Sequence, residues 1–485
     1  MKAVSVFVLA AFITVASGEA VAGADEGKIE ITTASDKAKE EYLEGLRLAD
    51  NLQTAKSLEH FDKAIALDST FAFAYLNRAN NSITTKDFLD NLKKALEYKD
   101  KASEGERLLI LAAEAGVNGG IRKQQEYLER AVELYPQDER AHLLLGAYFF
   151  IRQNYTQSVA EYKKAIAIWP TFASAYNNLG YAYRQLEDYS DAEQTFKKYT
   201  ELIPDNPNPY DSYAELLLKI GRFDESIANY QKALSLDPSF TSSQIGLTMN
   251  YLYKGDAMSA SNAVKRLSEM AKSPGERRQV CFVEAVVDAD EGHLDKAAKD
   301  FDEEFAIGRE IGDSASMAQD LGAKANVLLE MGKTDDAVKT FDASAALMSA
   351  NGFSPAIRNN ALVVAHYNQA RVALAEGDVT KAKAEANEYR QGAEKINNPN
   401  QLRFVHELAG IIALYEKDYD KALAELLQSN LQDPYNLYRM GLAYKGKNDK
   451  EHAKEYLTKA AEFDGLPNLN YSFIREKSSE ILSHL

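Results

Sequence analysis

A fixed interval of 34 residues organises the middle of this chain. Four prolines each follow the previous one by that interval, at Pro136, Pro170, Pro204 and Pro238. The same step leads from Gly146 to Gly180 and from Tyr155 to Tyr189. A constant period of a few tens of residues is the signature of a repeat array, in which each unit buries its apolar face against its neighbours. The 485-residue chain is therefore expected to fold by stacking similar units rather than around one central core.

Each unit of this period predicts two amphipathic helices, as residues 173–204 illustrate. Apolar side chains at i, i+3 and i+7 form the stripe of the first helix, at Tyr176, Leu179 and Tyr183. A second stripe, at i, i+4 and i+7, consists of Ala192, Phe196 and Tyr199. Gly180 lies within the first stripe, where the lack of a side chain lets the second helix approach closely. Pro204 ends the second helix because it has no amide hydrogen and clashes with the preceding turn.

Three consecutive units resemble the tetratricopeptide repeat family closely. They read RAHLLLGAYFFIRQNYTQSVAEYKKAIAIWP, SAYNNLGYAYRQLEDYSDAEQTFKKYTELIP and NPYDSYAELLLKIGRFDESIANYQKALSLDP. The resemblance covers nearly all of the chain and implies an all-α fold, a right-handed α-α superhelix of antiparallel helix pairs. Matching the repeat template predicts about 12 helix pairs over residues 38–465. The last segment, NYSFIREKSSEILSHL, is expected to be a single capping helix.

The first 22 residues have the pattern of a signal peptide. Lys2 supplies a positive start, residues 4–15 an apolar stretch, and residues 20–22 (Ala-Val-Ala) a small-residue cleavage site. The apolar stretch is shorter than a membrane span, and no stop-transfer pattern follows it. The sequence therefore predicts an exported protein without membrane insertion after cleavage. The periplasm is the expected compartment, and the extracellular space is the alternative.

The rest of the chain divides by the regularity of its repeats. Residues 23–36 are expected to be a linker, with Ser35 as the cap of a helix that begins near Asp36. Beyond Pro238 the turn glycines become more widely spaced, and the added residues gather in loop-like segments rich in Gly, Pro, Asn and Ser. We therefore expect regular repeats over residues 37–270, longer repeats over 271–400, and near-regular repeats with the capping helix over 401–485.

Charge and cysteine content exclude some classes of function. The chain has 73 acidic and 56 basic residues and a net charge of −17. This balance argues against nucleic acid as the main partner, because phosphate binding requires a basic surface. The single cysteine, Cys281, allows no disulfide within the chain and lies in an apolar helical stretch, where a buried thiol is expected.

Two short motifs resemble metal sites, and neither is predicted to bind a metal ion. His406 and Glu407 begin a zinc-hydrolase pattern, but Gly410 stands where the second histidine is required. Asp288 and Asp290 resemble the start of a calcium loop, but the glycine comes one position too early. Phosphate-binding loops and nucleophile elbows are not evident in the sequence. We therefore predict no catalytic residues and no cofactor.

The resemblance implies a binding face instead of a catalytic motif. In tetratricopeptide repeat proteins one side of the first helix lines a concave groove that takes extended peptides. Carried over by repeat position, this groove includes Arg140, Leu143, Phe150, Asn177, Tyr181, Arg184, Asp211, Glu215 and Leu218. Packing against the adjacent repeat is the alternative for some of them, above all Leu143 and Phe150. The basic clamp that some family members use for a C-terminal carboxylate is not evident, since Leu76 stands where it needs a lysine.

Three functional hypotheses follow from these observations. The leading one is a non-catalytic scaffold or adaptor that holds protein or peptide partners in its groove. The second is an enzyme built on the helical array, with acidic side chains of the second half lining a cleft. The third is a structural spacer that associates with itself, and is therefore a homo-oligomer. A fold alone does not decide among them, because function resides in the site.

Overall fold

The architecture is described from a computed structural model, which covers residues 27–50, 53–82, 84–350 and 352–485. The expected signal peptide and the first residues of the expected linker lie outside these ranges. The described residues form helices and no strands. The helices before residue 240 are α1 (Asp36–Asp50), α2 (Thr54–Leu67), α3 (Ala72–Asn80), α4 (Thr85–Tyr98), α5 (Glu104–Val117), α6 (Ile121–Leu134), α7 (Glu139–Ile151), α8 (Tyr155–Ile168), α9 (Ala173–Gln185), α10 (Tyr189–Leu202), α11 (Pro207–Lys219) and α12 (Phe223–Leu236).

The later helices are longer on average. They are α13 (Thr241–Tyr253), α14 (Ala257–Met270), α15 (Pro274–Asp290), α16 (Leu294–Glu310), α17 (Ser314–Glu330), α18 (Thr334–Met348), α19 (Pro355–Ala375), α20 (Val379–Ile396), α21 (Pro399–Tyr415), α22 (Tyr419–Leu426), α23 (Pro434–Gly446), α24 (Lys450–Ala461) and α25 (Leu469–Ser483). Helices of 13 and 14 residues, such as α13 and α14, give way to helices of 17 to 21 residues from α15 to α19, apart from α18. Among the described helices, none combines the length and the apolar character needed to cross a bilayer.

Consecutive helices pack as pairs. Each odd-numbered helix lies against the even-numbered helix that follows it, as α7 does against α8 and α17 against α18. Hydrogen bonds join α11 to α12 through Ser226 and Ala214, and α13 to α14 through Gln244 and Ala263. The helices α1 to α24 therefore make 12 pairs, and α25 follows alone. This arrangement confirms the all-α fold, the number of pairs and the C-terminal capping helix that the sequence predicts.

A contact between a glycine and a large side chain sets the spacing within many pairs. At Gly146, an added Cβ would lie 2.5 Å from Cε1 of Tyr162, and at Gly180 it would lie 2.7 Å from Cε1 of Phe196. The same pairing, with partners sixteen residues apart, occurs at Gly45 and Phe61, Gly410 and Leu426, and Gly441 and Leu457. Because protein interiors are close-packed, the ring occupies the volume that a Cβ would need. The glycine on the first helix therefore fixes how closely the second helix approaches.

Residue contacts divide the described chain into two compact units. The first comprises residues 27–216 and 224–243, and the second comprises residues 217–223 and 244–485. In the first unit, helix α1 begins at Asp36, and Ser35 Oγ accepts a hydrogen bond from the Ala38 amide, as the sequence predicts. Residues 27–35, expected to be part of a linker, instead pack against the helices, with Ile29 buried in the core.

In the second unit, the last helix returns to a much earlier one. Helix α25 packs against α24 and also against α15. Ser472 Oγ donates a hydrogen bond to the carbonyl of Val286 at 3.0 Å, and Arg475 forms an ion pair with the buried Asp290. The apolar side of α25, including Tyr471 and Ile474, is buried. The sequence pattern predicts the capping helix but gives no sign of this contact, which joins residues 186 positions apart.

The spacing role of the helix-pair glycines is tested by Gly180→Ala. We expect a loss of about 1–3 kcal/mol of unfolding free energy, because the new methyl group overlaps the buried Phe196 ring. The control is Gly322→Ala in α17, where the nearest atom to an added Cβ is Ser344 Oγ at 3.9 Å. Since alanine favours helices, the control should be neutral or stabilise by up to about 1 kcal/mol. Urea unfolding monitored by circular dichroism measures both, and equal effects would contradict the prediction.

Candidate functional site

The predicted groove positions lie on three successive first helices, α7, α9 and α11. Equivalent positions one repeat apart meet in the structure. Glu215 on α11 accepts hydrogen bonds from Tyr181 Oη at 2.8 Å and from Arg184 Nη1 at 2.5 Å. Glu215 and Tyr181 are 34 residues apart and thus occupy the same position in adjacent repeats. These bonds link the first helices of two neighbouring repeats through side chains on one face.

Aromatic and ionic contacts hold Arg184 in a fixed orientation. Its guanidinium carbon lies 4.8 Å from the centre of the Tyr181 ring, and its side chain is 14% exposed. Burial alone would lower the pKa of Arg184, but the charge of Glu215, the hydrogen bond to it and the nearby tyrosines together outweigh burial and raise that pKa. Burial raises the pKa of the Tyr181 phenol, so this hydroxyl remains a donor to Glu215. The face therefore presents a charged arginine whose side chain is already ordered.

Two further predicted positions are buried polar groups. Asp211 accepts a hydrogen bond from Ser243 Oγ at 2.6 Å, and burial raises the pKa of Asp211 to about 7. The nearby charge of Glu215 contributes to the same shift. Asn177 Oδ1 is buried and accepts no hydrogen bond from any residue that the structure describes. Asn177 therefore has an acceptor on this face that the fold itself does not use.

The other four predicted positions differ in accessibility. Leu143 and Leu218 are completely buried and contribute to the core, which is the alternative that the sequence left open for Leu143. Phe150 is half-buried, and its ring packs edge-on against Tyr155 with centroids 5.3 Å apart. Arg140 binds the N-terminal segment, because its Nη2 donates to the carbonyl of Ile29 at 3.1 Å. Contact with a partner stays a prediction for all nine positions.

The zinc-like motif in α21 serves the fold. His406 Nδ1 lies 2.8 Å from a carboxylate oxygen of Glu425 on the paired helix α22. Glu407 is buried and accepts hydrogen bonds from Tyr367 Oη at 2.7 Å and Arg439 Nη1 at 3.0 Å. Burial would raise the pKa of Glu407, but the positive charges of Arg439 and Arg371 and the hydrogen bonds from Tyr367 and Asn436 together outweigh burial and lower the pKa. Both residues are thus engaged by neighbouring helices of the array.

The two aspartates of the calcium-like motif at the end of α15 have different surroundings. Asp290 forms an ion pair with Arg475 of α25. Asp288, Glu291 and His293 lie at the surface with potential ligand atoms within 4.8 Å of one another. Lys296 Nζ is 3.6 Å from a carboxylate oxygen of Asp288, where its positive charge competes with a cation. This group is an exposed acidic cluster, and its geometry alone does not define a metal site.

The acidic residues of the second half were the basis of the enzyme hypothesis. Burial and the neighbouring charges of Asp288, Glu284 and Glu303 raise the pKa of Asp300 to about 7. A carboxyl group with such a pKa can exchange protons near neutral pH. A pocket of about 580 Å³ among the described residues lies elsewhere, with eight lining residues between Val132 and Ile168. Asp300 is therefore a titratable group outside that pocket.

Comparisons with known proteins agree with the repeat assignment. A model described as TPR repeat matches residues 146–186, and models described as tetratricopeptide repeat match residues 173–206, 208–240 and 434–465. Together with the stacked helix pairs, these matches define an α-α repeat protein. The matched segments are therefore tetratricopeptide repeats.

Similarity to individual proteins is confined to part of each sequence. The chain is 28% identical over 107 residues to DnaJ homolog subfamily C member 7 of Mus musculus, which is 22% of either chain. It is 24% identical over 218 residues to a mitochondrial import receptor subunit of Saccharomyces cerevisiae, covering 44% of this chain and 34% of the other. The chain thus spans about a third or less of these two relatives. A solved tetratricopeptide repeat protein from Parabacteroides merdae matches with a TM-score of 0.38 and 14% identity, over 54% of this chain and 98% of its own.

The raised pKa of Asp211 predicts a pH-dependent stability. Its ordinary pKa is 3.8, and the folded value is about 7, so between these values the folded chain holds a proton that the unfolded chain releases. Stability from this group therefore falls as the pH rises from about 4 to about 7. Asp211→Asn removes the penalty. Relative to the parent chain, we expect the variant to gain roughly 1–4 kcal/mol at pH 8 compared with pH 4, since one pKa unit corresponds to about 1.4 kcal/mol.

Urea unfolding of Asp211→Asn and the parent chain at both pH values measures this gain. The amide oxygen of the variant can still accept the Ser243 hydroxyl, so the hydrogen bond is kept as a constant in the comparison. A stability difference that is the same at pH 4 and pH 8 would contradict the assignment of a raised pKa to Asp211.

Proposed function

We propose that this protein is a non-catalytic scaffold that binds protein or peptide partners on the first-helix face. This face is the side of α7, α9 and α11 that carries Asn177, Tyr181, Arg184 and Glu215. The observation that carries the proposal is the bonded group of Tyr181, Arg184 and Glu215, which joins adjacent repeats on that side. Partners of repeat proteins bind along successive repeats, so side chains aligned from repeat to repeat suit an extended segment.

The chemistry of this face favours a peptide with exposed acceptors and donors. Arg184 meets Glu215 through Nη1, and a guanidinium has five N–H donors in all, which can bind a carbonyl or a carboxylate in addition. Arg184 is ordered before a partner arrives, and this lowers the entropic cost of binding. Phe150 is half-buried and occupies, in the previous repeat, the position equivalent to Arg184, where it adds an apolar contact.

The similar proteins support the class of partner and do not identify it. One of them is by name a mitochondrial import receptor subunit. We extend to this chain only the general role of binding proteins. The N-terminal pattern of residues 1–22 supports an exported compartment, the periplasm first and the extracellular space as the alternative.

The proposal is tested by a neutral exchange within the first-helix face. Arg184→Gln/Glu215→Gln removes both charges and retains two side chains that can hydrogen-bond to each other, so the fold is expected to persist. The matched control is Arg130→Gln/Glu133→Gln, which changes an ion pair of the same type on the second helix α6. Each chain serves as bait in an envelope extract of the native host, and the affinity of every captured partner is then measured separately with purified proteins.

We expect at least one partner whose affinity falls about tenfold or more with Arg184→Gln/Glu215→Gln, which corresponds to about 1.4 kcal/mol. The same partner should bind the Arg130→Gln/Glu133→Gln control as tightly as the parent chain. Equal affinities for all three chains would contradict binding at the first-helix face. If the parent chain captures no partner and its molecular mass in solution doubles as its concentration rises, the self-associating spacer would be favoured instead.

A further inference from the structure

The segment of residues 27–35 crosses the beginnings of two first helices, α5 and α7, and the turn between α2 and α3. Its residues contact Asp68, just before α3, Ser103 and Glu106 at the start of α5, and Asp138 at the start of α7. The Ser35 amide donates to Thr33 Oγ1 within the segment. The other hydrogen bonds described for the segment's backbone amides go to side chains in the helices or at their ends. A segment held in this way resembles a bound peptide more than a structural linker.

Carboxylates of the helices bind the backbone amides of the segment. The amide of Ile29 donates to Asp138 Oδ2 at 2.9 Å, that of Thr32 to Glu106 Oε1 at 3.0 Å, and that of Ala34 to Asp68 Oδ2 at 3.0 Å. Backbone carbonyls are bound in turn. Arg140 Nη2 donates to the Ile29 carbonyl at 3.1 Å, and Ser103 Oγ donates to the Glu30 carbonyl at 2.9 Å. Because these bonds reach the main chain, they would serve any extended peptide of the right shape. Asp68 Oδ2 also accepts a hydrogen bond from the Thr33 hydroxyl at 2.7 Å.

One side chain of the segment has a built pocket. Ile29 is 4% exposed, and a Cβ added at Gly105 would lie 2.6 Å from Ile29 Cγ1. Gly105 thus leaves the space that the isoleucine occupies, and Tyr135 lines the same space. Next to this pocket, Lys28 Nζ forms an ion pair with Glu139 at 2.9 Å. The pocket and the ion pair select an aliphatic residue that follows a basic one.

The two main acceptors of the segment's amides, Asp138 and Glu106, are buried with the segment in place. Asp138 and Glu106 are completely buried, and burial raises the pKa of Glu106. Each uses one oxygen to cap its own helix and the other to bind the segment. Asp138 Oδ1 caps α7 through the Ala141 amide, and Glu106 Oε2 accepts from the Ser103 amide. A buried carboxylate oxygen without a donor is costly, and the Thr32 amide supplies that donor to Glu106 Oε1. Asp138 Oδ2 accepts both from the Ile29 amide and from Arg140 Nη2 at 3.1 Å.

We propose that this surface is a binding site for extended peptides with a basic residue followed by an aliphatic one, occupied in the same chain by residues 27–35. The strap site, as we name it, consists of Asp68, Gly105, Glu106, Asp138 and Glu139. The chain's own segment is a tethered competitor, which an incoming peptide has to displace. The strap site is distinct from the first-helix face around Arg184 and does not depend on its function.

The test uses a labelled synthetic peptide of residues 27–35 and three forms of the full chain. In Ile29→Asp, the tethered segment loses its apolar contact, so the site opens and should bind one peptide per chain. The parent chain should bind the peptide at least about tenfold more weakly than Ile29→Asp does, because its own segment competes for the site. Ile29→Asp/Gly105→Ala should bind no peptide, since the added methyl group occupies the isoleucine pocket.

Ile29→Asp/Gly322→Ala is the matched control, because it makes the same substitution at a helical glycine with room for a methyl group. It should bind the peptide as Ile29→Asp does. A folded Ile29→Asp chain that ignores the peptide, or binding that persists with Gly105→Ala, would overturn the proposal. Circular dichroism establishes that each chain is folded.

Hydrogen exchange of the parent chain provides a second test that needs no variant. If residues 27–35 are a displaceable ligand, their amides should exchange well before those of α5 and α7, because the segment can detach while the helices stay folded. Exchange of the segment together with these helices would show that it is an integral part of the fold and would overturn the proposal. A parent chain that is dimeric, and that Gly105→Ala makes monomeric, would place the segment in a second copy and overturn its occupancy in the same chain.

Discussion

The close contact between a first-helix glycine and a second-helix side chain is the constraint on which the rest of the structure depends. Gly146 with Tyr162 and Gly180 with Phe196 bring two helices to a distance that no larger residue would permit. This distance determines which side chains remain on the outer side of the first helix. Because the contact recurs in step with the repeat, residues such as Tyr181 and Glu215 come to equivalent places and meet. The aligned polar face of α9 and α11 is therefore a consequence of regular packing.

The sequence predicts what the repeat period determines and fails where a contact is made only once. Periodicity alone gives the helix pairs and their number, because every pair obeys the same pattern. The docking of Ile29 and the return of α25 to α15 occur once each and join residues more than a hundred positions apart. The hydrogen bond that Asn208 donates to the Tyr199 hydroxyl is a further contact that the repeat pattern does not predict.

The candidate site was predictable by position but not by accessibility. Repeat register alone places Asn177 and Asp211 in equivalent positions of adjacent repeats. It does not show that Leu143 and Leu218 are completely buried, because burial depends on which neighbours cover a residue. The bond between Tyr181 and Glu215 had a signal in the sequence, an acid one period after a tyrosine. The second role of Asp138 had none, since a helix cap and a peptide acceptor read alike in a sequence.

We propose that partners bind on the first helices of the array. Hydrogen–deuterium exchange of the full chain, with and without a partner that it captures, tests this most directly. Binding on the first-helix face should slow exchange in α7, α9 and α11 and leave the second helices α8 and α10 unchanged. Protection confined to α8 and α10, with no change in α9, would contradict the claim.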